Sequence, residues 1–453
     1  MSSNASLLFL GILMVFSVGN SKLLPVSQLN SHLETIVPGV VTFIGPSSTG
    51  KSSIIGQLLA FRMDSNKKEE AIKKAKDAGK PNLAFSSIVD TTDAEVEAGR
   101  TLTSKYVPFA SFNKRLTLLD TPSEVEYDQQ MTKAVGIADA VVIVVSAIAD
   151  EFDAQGGWLI DYINLCIGLN KKNFVFAINK IDAVEDQENR YNTVVEALRE
   201  VVDQAGLDYE EYSFIPVSGY NNHNLLTVAT ETYPWYQGVA LMSKVNELLP
   251  QISISTDSTS RLSFPIYNAE EVKNKGTIAY GKLEQNILKT FSDVKLCPSG
   301  ISTKITQITD IHGQKRDVIS SSEFVGVTLR GISIDELPYG TYLTTDEKCI
   351  GTTAVRATIH WKNLDFMQIG SFDATTQFGG FYTSMKVAGN CEGYGCGDAD
   401  MASVFKNRQS STVRFESNNG KLPFSNRLAS GKYFALRDNG KTIGIGTVED
   451  LLN

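Results

Sequence analysis

Positive charge is in deficit in this 453-residue chain, with 42 Lys and Arg against 51 Asp and Glu and a formal net charge of -9. A surface that displaces counterions from duplex or transfer RNA normally rests on excess Lys and Arg, so the balance weighs against a protein that wraps nucleic acid and leaves room only for a local basic patch. Histidine is sparse, at four residues: His32, His223, His312 and His360. Five cysteines are too few for a disulfide scaffold, and their odd number leaves one over. Cys166 falls in the apolar stretch Ile163-Asn164-Leu165-Cys166-Ile167, where a cysteine is a small core residue. Cys391 and Cys396 are close enough to bridge a loop in an oxidising compartment, and Cys297 and Cys349 are candidates for a bridge across the middle domain. No histidine lies near Cys391 and Cys396 and no repeated C-x-x-C pair occurs, which disfavours zinc. Solenoid repeats and low-complexity segments are also missing.

Long apolar runs are limited to Leu7–Val18, too short to span a bilayer comfortably and followed by the small residues Gly19 and Ser21. That arrangement reads as a signal or anchor over residues 1–21, with 22–38 as linker, although Met1 to Ser6 lacks the usual positive charge. A cleaved signal implies an endomembrane or secretory location; a plain N-terminal extension implies the cytoplasm. The sequon Asn4-Ala5-Ser6 lies inside the same segment and decides nothing.

What the chain does contain is Gly45-Pro46-Ser47-Ser48-Thr49-Gly50-Lys51-Ser52, which satisfies G-x-x-x-x-G-K-[ST]. The apolar, β-branched run Val40 to Ile44 before it reads as a buried strand, and Ser53 to Leu59 after it as a helix. In that setting the glycines let the loop curl so that successive N–H groups and a helix N-terminus face phosphate oxygens. Gly45, Ser48, Thr49, Gly50, Lys51, Ser52 and Ser53 are therefore the phosphate-binding candidates, with Lys51 on the β- and γ-phosphates and the Ser52 hydroxyl on Mg2+.

Further motifs follow at the ends of further strands. The charged run Lys67 to Lys76 reads as a solvated helix face. Ile88-Val89-Asp90 is an acidic patch, and Gly99-Arg100-Thr101-Leu102-Thr103 offers Thr101, or failing it Thr103, as a switch threonine that senses nucleotide through the metal. Arg115 to Leu119 leads to Asp120-Thr121-Pro122-Ser123, in which Asp120 suits the metal-side D-x-x-G motif and Ser123 stands where its glycine belongs. Ala140 to Val145 is apolar on both faces, as in a central parallel strand. Phe174 to Ile178 delivers Asn179-Lys180-Ile181-Asp182, the N-K-x-D guanine signature: the Asp182 carboxylate can accept from both N1–H and the N2 amino group, which adenine cannot offer. Phe214 to Val217 ends in Ser218-Gly219, the loop expected to read guanine O6. From about Leu262, short alternating segments such as Thr277–Leu283 and Thr353–Ile359 recur between glycine-bearing turns, as in β-barrels.

Together these residues resemble the translation elongation factor 1-alpha and elongation factor Tu group of GTPases, over nearly the whole chain after residue 38. Asp150-Glu151-Phe152-Asp153-Ala154, Pro216 to Asn221, Pro234-Trp235-Tyr236-Gln237-Gly238, Phe324-Val325-Gly326-Val327, Gly331-Ile332-Ser333 and Phe434 to Asp438 carry the likeness beyond the motifs. The resemblance implies an α/β P-loop GTPase domain with a mostly parallel sheet (39–250), followed by two antiparallel β-barrel domains (258–346 and 350–453). It further implies GTP/GDP and Mg2+ as ligands, the metal on Ser52, Thr101 and Asp120, and aminoacyl-tRNA, the ribosome and proteins docking on the barrels as partners; a membrane enters only through the N-terminal segment.

Departures from that family set the remaining expectations. Its water-orienting histidine aligns with Glu124, and none of the four histidines lies in this switch. A carboxylate there repels a γ-phosphate by roughly 3 to 4 kcal/mol per unit charge at ~5 Å and an effective dielectric of 20, before screening. Glu124, Thr101 and Ser123 are thus the catalytic positions, with slow hydrolysis expected. The family's phosphate-loop aspartate aligns with Ser48, and its arginine-rich run is here Glu95-Val96-Glu97-Ala98. The first reading is a GTP-binding protein of the elongation factor 1-alpha type, favoured by motifs and architecture, whose transfer-RNA delivery the charge and Glu124 oppose; the alternative is a structural or regulatory paralogue.

Overall fold

A computed structural model describes residues 37–453 except 78, 112–113, 155, 250–261, 274, 285, 312, 321, 339, 347–351, 363–372, 393–394, 398–409, 419–431 and 453. Everything below concerns the unit from Pro38 onward, together with the first strand residue; the apolar run at residues 7–18 lies outside the described residues. No helix among the described residues is long and apolar enough to cross a membrane.

The first part is a six-stranded sheet built from β1 (Val37–Ile44), β2 (Lys105–Ser111), β3 (Lys114–Asp120), β4 (Ala140–Ser146), β5 (Phe174–Asn179) and β6 (Phe214–Pro216). Its order is β2-β3-β1-β4-β5-β6. β1–β4, β4–β5 and β5–β6 pair in parallel, while edge strand β2 runs antiparallel to β3. β4 and β5 are buried along their whole length. That is why their sequences are continuous aliphatic and aromatic runs without alternation. Helices Lys51–Ala60, Asp128–Ile137, Gly156–Gly168 and Gln187–Gln204 lie in the connections between successive strands. Because parallel strands all end on one side, Ile44, Ser146 and Asn179 feed their loops to one edge of the sheet, where open α/β sheets place ligands.

The rest is two antiparallel barrels. In the first, Asp293–Cys297 pairs both with Tyr342–Thr344 and with Ser302–Asp310, closing a six-strand ring around Phe264, Leu296, Val325 and Leu343. In the second, Asp373–Phe378 pairs with Phe381–Glu392 and with Tyr433–Asp438, closing a ring around Trp361, Phe378, Phe415 and Phe434. Closure leaves no free edge within either ring. Gly331-Ile332-Ser333 lies outside the strands, in the turn before the short helix Ile334–Glu336.

Both barrels pack on the nucleotide-type domain through defined contacts. Tyr267 and Phe324 of the first join Val40, Leu119, Ala134 and Ile137 in one apolar cluster. Lys282 donates to the Ile137 carbonyl at 2.8 Å and pairs with Asp139 at 2.5 Å. From the second, Arg437, only 3 % exposed, inserts between two helices: it meets Asp128 at the start of one and Asp161 in the other at 2.7 Å, and also donates to Thr442 and the Gly440 carbonyl. Burial works against the guanidinium charge, but the two carboxylates outweigh it and hold its pKa above the ordinary value.

Cys166 is a free, buried thiol on the Gly156–Gly168 helix, pushed up to about 12 by burial. Cys297 and Cys391 are each disulfide-bonded. Cys391 is the cross-strand partner of Cys396, whereas Cys349 lies outside the described residues.

Candidate functional site

The loop after β1 turns on left-handed backbone at Ser48 (φ 64°) and Gly50 (φ 91°) before the helix Lys51–Ala60 begins. Gly50 caps that helix without a side-chain hydrogen bond, and its first turn carries no acidic residue, so the amides and partial positive charge of the N-terminus are kept for a ligand. The two loop glycines are required by space as well as by φ. A Cβ on Gly45 would stand 2.2 Å from the Val144 carbonyl oxygen, and one on Gly50 would stand 2.3 Å from Asn179 Nδ2.

This loop forms one wall of a cavity of about 510 Å3, large enough for a nucleotide. Ser47, Ser48, Gly50, Lys51, Ser52 and Ser53 line one side; Asn179, Lys180, Asp182 and Tyr220 line another; Asp90, Arg100, Thr101, Ser123 and Glu124 complete it. Most of the residues expected from the motifs therefore converge. Thr49 stands just behind, buried, its hydroxyl on the Pro46 carbonyl at 3.0 Å. Thr101 lines the cavity, and Thr103 is not on its wall.

At the phosphate end, Lys51 is buried and donates to the Gly45 and Pro46 carbonyls at 3.0 Å each and to the Ser123 hydroxyl. Burial lowers its pKa to about 8 against the pull of Asp120, Glu124 and Asp90. Next to it the Thr101 hydroxyl lies 2.9 Å from Ser52 Oγ, 2.9 Å from Asp90 Oδ1 and 3.3 Å from Asp120 Oδ2. The Thr101 and Ser52 hydroxyls bring two protons to these two carboxylates, and Asp120 Oδ1 is buried without a hydrogen-bond partner. Burial and the Asp120 charge push Asp90 up to about 7, and burial likewise raises Asp120. Hard oxygen donors with an unmet negative charge suit a hard divalent cation. Among the described residues no group of three His, Cys, Asp or Glu is placed to hold a metal, so such an ion would rest on hydroxyls, these carboxylates and ligand oxygens.

The base end is organised by Asn179. Its Nδ2 donates to the Thr49 carbonyl at 2.7 Å, and its Oδ1 accepts the Gly219 N–H at 2.9 Å. Lys180, in left-handed backbone, is held by Glu151 at 2.7 Å. Asp182 accepts from Asn221 Nδ2 at 2.9 Å and lines the cavity. Ser218 and Gly219 stand behind the wall: their N–H groups go to the His223 carbonyl and to Asn179, and Tyr220, edge-on to Phe85, is the loop residue that faces the cavity.

Two residues read from sequence only as negative charge have specific placements. Asp90 joins Thr101, as above. Glu95 is buried, closes a capping box with Thr92, pairs with Lys105 at 2.8 Å and accepts the Leu102 N–H at 3.1 Å and the Thr103 N–H at 3.4 Å. It staples the segment that carries Thr101. The T-x-x-E spacing of Thr92 and Glu95 was the available signal.

Glu124 Oε1 accepts from Ser47 Oγ at 3.2 Å and pairs with Arg100 at 3.4 Å, while Oε2 accepts the Ser123 N–H at 3.3 Å. Among the described residues no histidine stands there: His223 lies on Tyr233 and His360 on Ser410, and His32 and His312 are outside the described residues.

The family model for the elongation factor Tu GTP binding domain matches residues 39–251. Elongation factor 1-alpha of Ignicoccus hospitalis is 28% identical over 317 residues, covering 68% of this chain and 70% of that protein. The S. cerevisiae Ski7 GTPase-like domain, solved with GDP and inorganic phosphate, superposes with a TM-score of 0.73 at 16% identity, covering 93% of this chain and 99% of that one. Translation elongation factor SelB from Methanococcus maripaludis, solved with a GTP analogue, gives 0.61 at 15% identity over 92% and 80% of the two chains. These two structural likenesses are likenesses of fold.

Proposed function

Residues 39–251 belong to the elongation factor Tu GTP-binding domain family and the chain is a divergent elongation factor 1-alpha-like GTPase, and from that premise we propose a guanine-nucleotide-binding protein that hydrolyses GTP slowly and does not carry aminoacyl-tRNA. The helix N-terminus at Gly50–Ser53 and the Lys51 ammonium bind the phosphates; Asp182 accepts from the guanine edge. Ser52, Thr101 and Asp120 would hold Mg2+, which when bound would supply charge neutralisation at the phosphates. The unpartnered Asp120 oxygen and the crowded Thr101 hydroxyl support that assignment.

The observation that carries slow hydrolysis is Glu124. It occupies the position aligned with the family's water-orienting histidine, and it is engaged by Ser47, Arg100 and the Ser123 N–H, leaving it badly placed to orient a water. Calorimetry with Mg2+ should show Lys51→Ala losing all binding of GDP and GTP; equal affinities of mutant and parent would remove the phosphate loop from the reading. Glu124→His should raise single-turnover hydrolysis at least tenfold, and an unchanged rate would move the defect to Ser123.

A second reading, work inside a membrane-bounded compartment, is favoured by the disulfide-bonded Cys297 and Cys391, because such bonds persist in oxidising surroundings. The signal-like residues 1–21 agree with it. Intact mass of protein from its native source, with and without reductant, tests both bridges and a trimmed N-terminus together.

A further inference from the structure

At the corner of the cavity beside Lys51 the donors are taken up by the chain itself. An ammonium has three hydrogens, and all three of those on Lys51 find protein acceptors: the Gly45 carbonyl, the Pro46 carbonyl and the Ser123 hydroxyl. A glycine at position 123 would leave the third free for a phosphate oxygen. The Ser123 N–H, which as the third residue after Asp120 is the amide a terminal phosphate would take, is donated to Glu124 Oε2 at 3.3 Å. The other oxygen of Glu124 takes the Ser47 hydroxyl of the phosphate loop at 3.2 Å and faces Arg100 Nη1 at 3.4 Å. One carboxylate thus collects an amide, a hydroxyl and a cation from three separate segments, which is the donor set that an anionic tetrahedral group would need there. The amides of the helix N-terminus, which serve the inner phosphates, are untouched by it.

We propose that the Glu124 carboxylate is an internal surrogate for a terminal phosphate, so that the pocket accepts a nucleoside diphosphate while a triphosphate must first evict a side chain of like charge. The inference rests on the nucleotide-binding reading above and names the ligand state selected. It also assigns Arg100 and Ser47 as the residues that hold the surrogate in place. The Thr101 segment and the loop after Asp120 are joined through Arg100 and Glu124 without any third phosphate.

The test is calorimetric titration of the full chain with Mg2+, using GDP and a non-hydrolysable GTP analogue, on the parent and on Glu124→Ala. The parent should bind GDP at least tenfold more tightly than the analogue, and Glu124→Ala should shift that ratio at least tenfold toward the analogue. Comparable affinities in the parent, or a ratio unmoved in a folded Glu124→Ala, would overturn the surrogate while leaving nucleotide binding intact. Binding of neither ligand would overturn both readings at once. If Glu124→Ala does not fold, Ser47→Ala removes one of the holding bonds and should move the ratio in the same direction; no movement counts against the proposal.

Discussion

Glu95→Gln removes one charge and almost no volume from a side chain 1 % exposed, so its effect isolates what the carboxylate does. Burial alone would raise the Glu95 pKa, yet Lys105, the Thr92 hydroxyl and the Leu102 N–H together hold it at about 2 against an ordinary 4.5. That gap corresponds to about 3 kcal/mol in favour of the charged form. Glutamine keeps one acceptor oxygen but loses the charge that Lys105 meets, so about 1.5 to 3 kcal/mol of local stability should go. Because the folded-state pKa is depressed, the stabilisation is complete above pH 4.5 and is lost as pH falls toward 2; mutant and parent should differ most near neutrality. Hydrogen exchange reads the loss where it occurs. The amides of Leu102 and Thr103, both bonded to Glu95, should exchange about 10- to 100-fold faster at pH 7 in the mutant, while β4 and β5 stay protected. Exchange within twofold of the parent at those two amides would refute the staple.

Arg437→Ala strands Asp128 and Asp161, two carboxylates gathered on one buried guanidinium, and should cost about 3 to 5 kcal/mol of docking of the last barrel. Differential scanning calorimetry checks this as an early, separate transition or a lowered single one; an unchanged profile would mean that apolar packing alone holds the barrel. Gly50→Ala adds a Cβ at φ 91° and 2.3 Å from Asn179 Nδ2, so nucleotide affinity, read by a fluorescent GDP analogue, should fall roughly tenfold or more.

Residues whose placement depends on short-range spacing were legible from sequence. Lys51, Ser52, Asp120, Asn179 and Asp182 each follow a recognisable strand, and strand direction alone gathers them. The alternating segments after Leu262 likewise announced strands, because half-buried strands must alternate. Barrel closure was legible only through the family resemblance, since the pairing of Asp293–Cys297 with two partners joins segments whose local patterns say nothing of each other. Asp90 and Glu95 were visible only as charge: what distinguishes them is burial beside Thr101 and Lys105, a tertiary fact. Ser218 and Gly219 show the reverse case, a motif found where expected whose amides are spent on His223 and Asn179.

Asn179 has a consequence of its own. A single amide group spans the Thr49 carbonyl and the Gly219 N–H, so the loop after β1 and the loop after β6 share one rivet. Any change at Asn179 therefore loosens both loops at once.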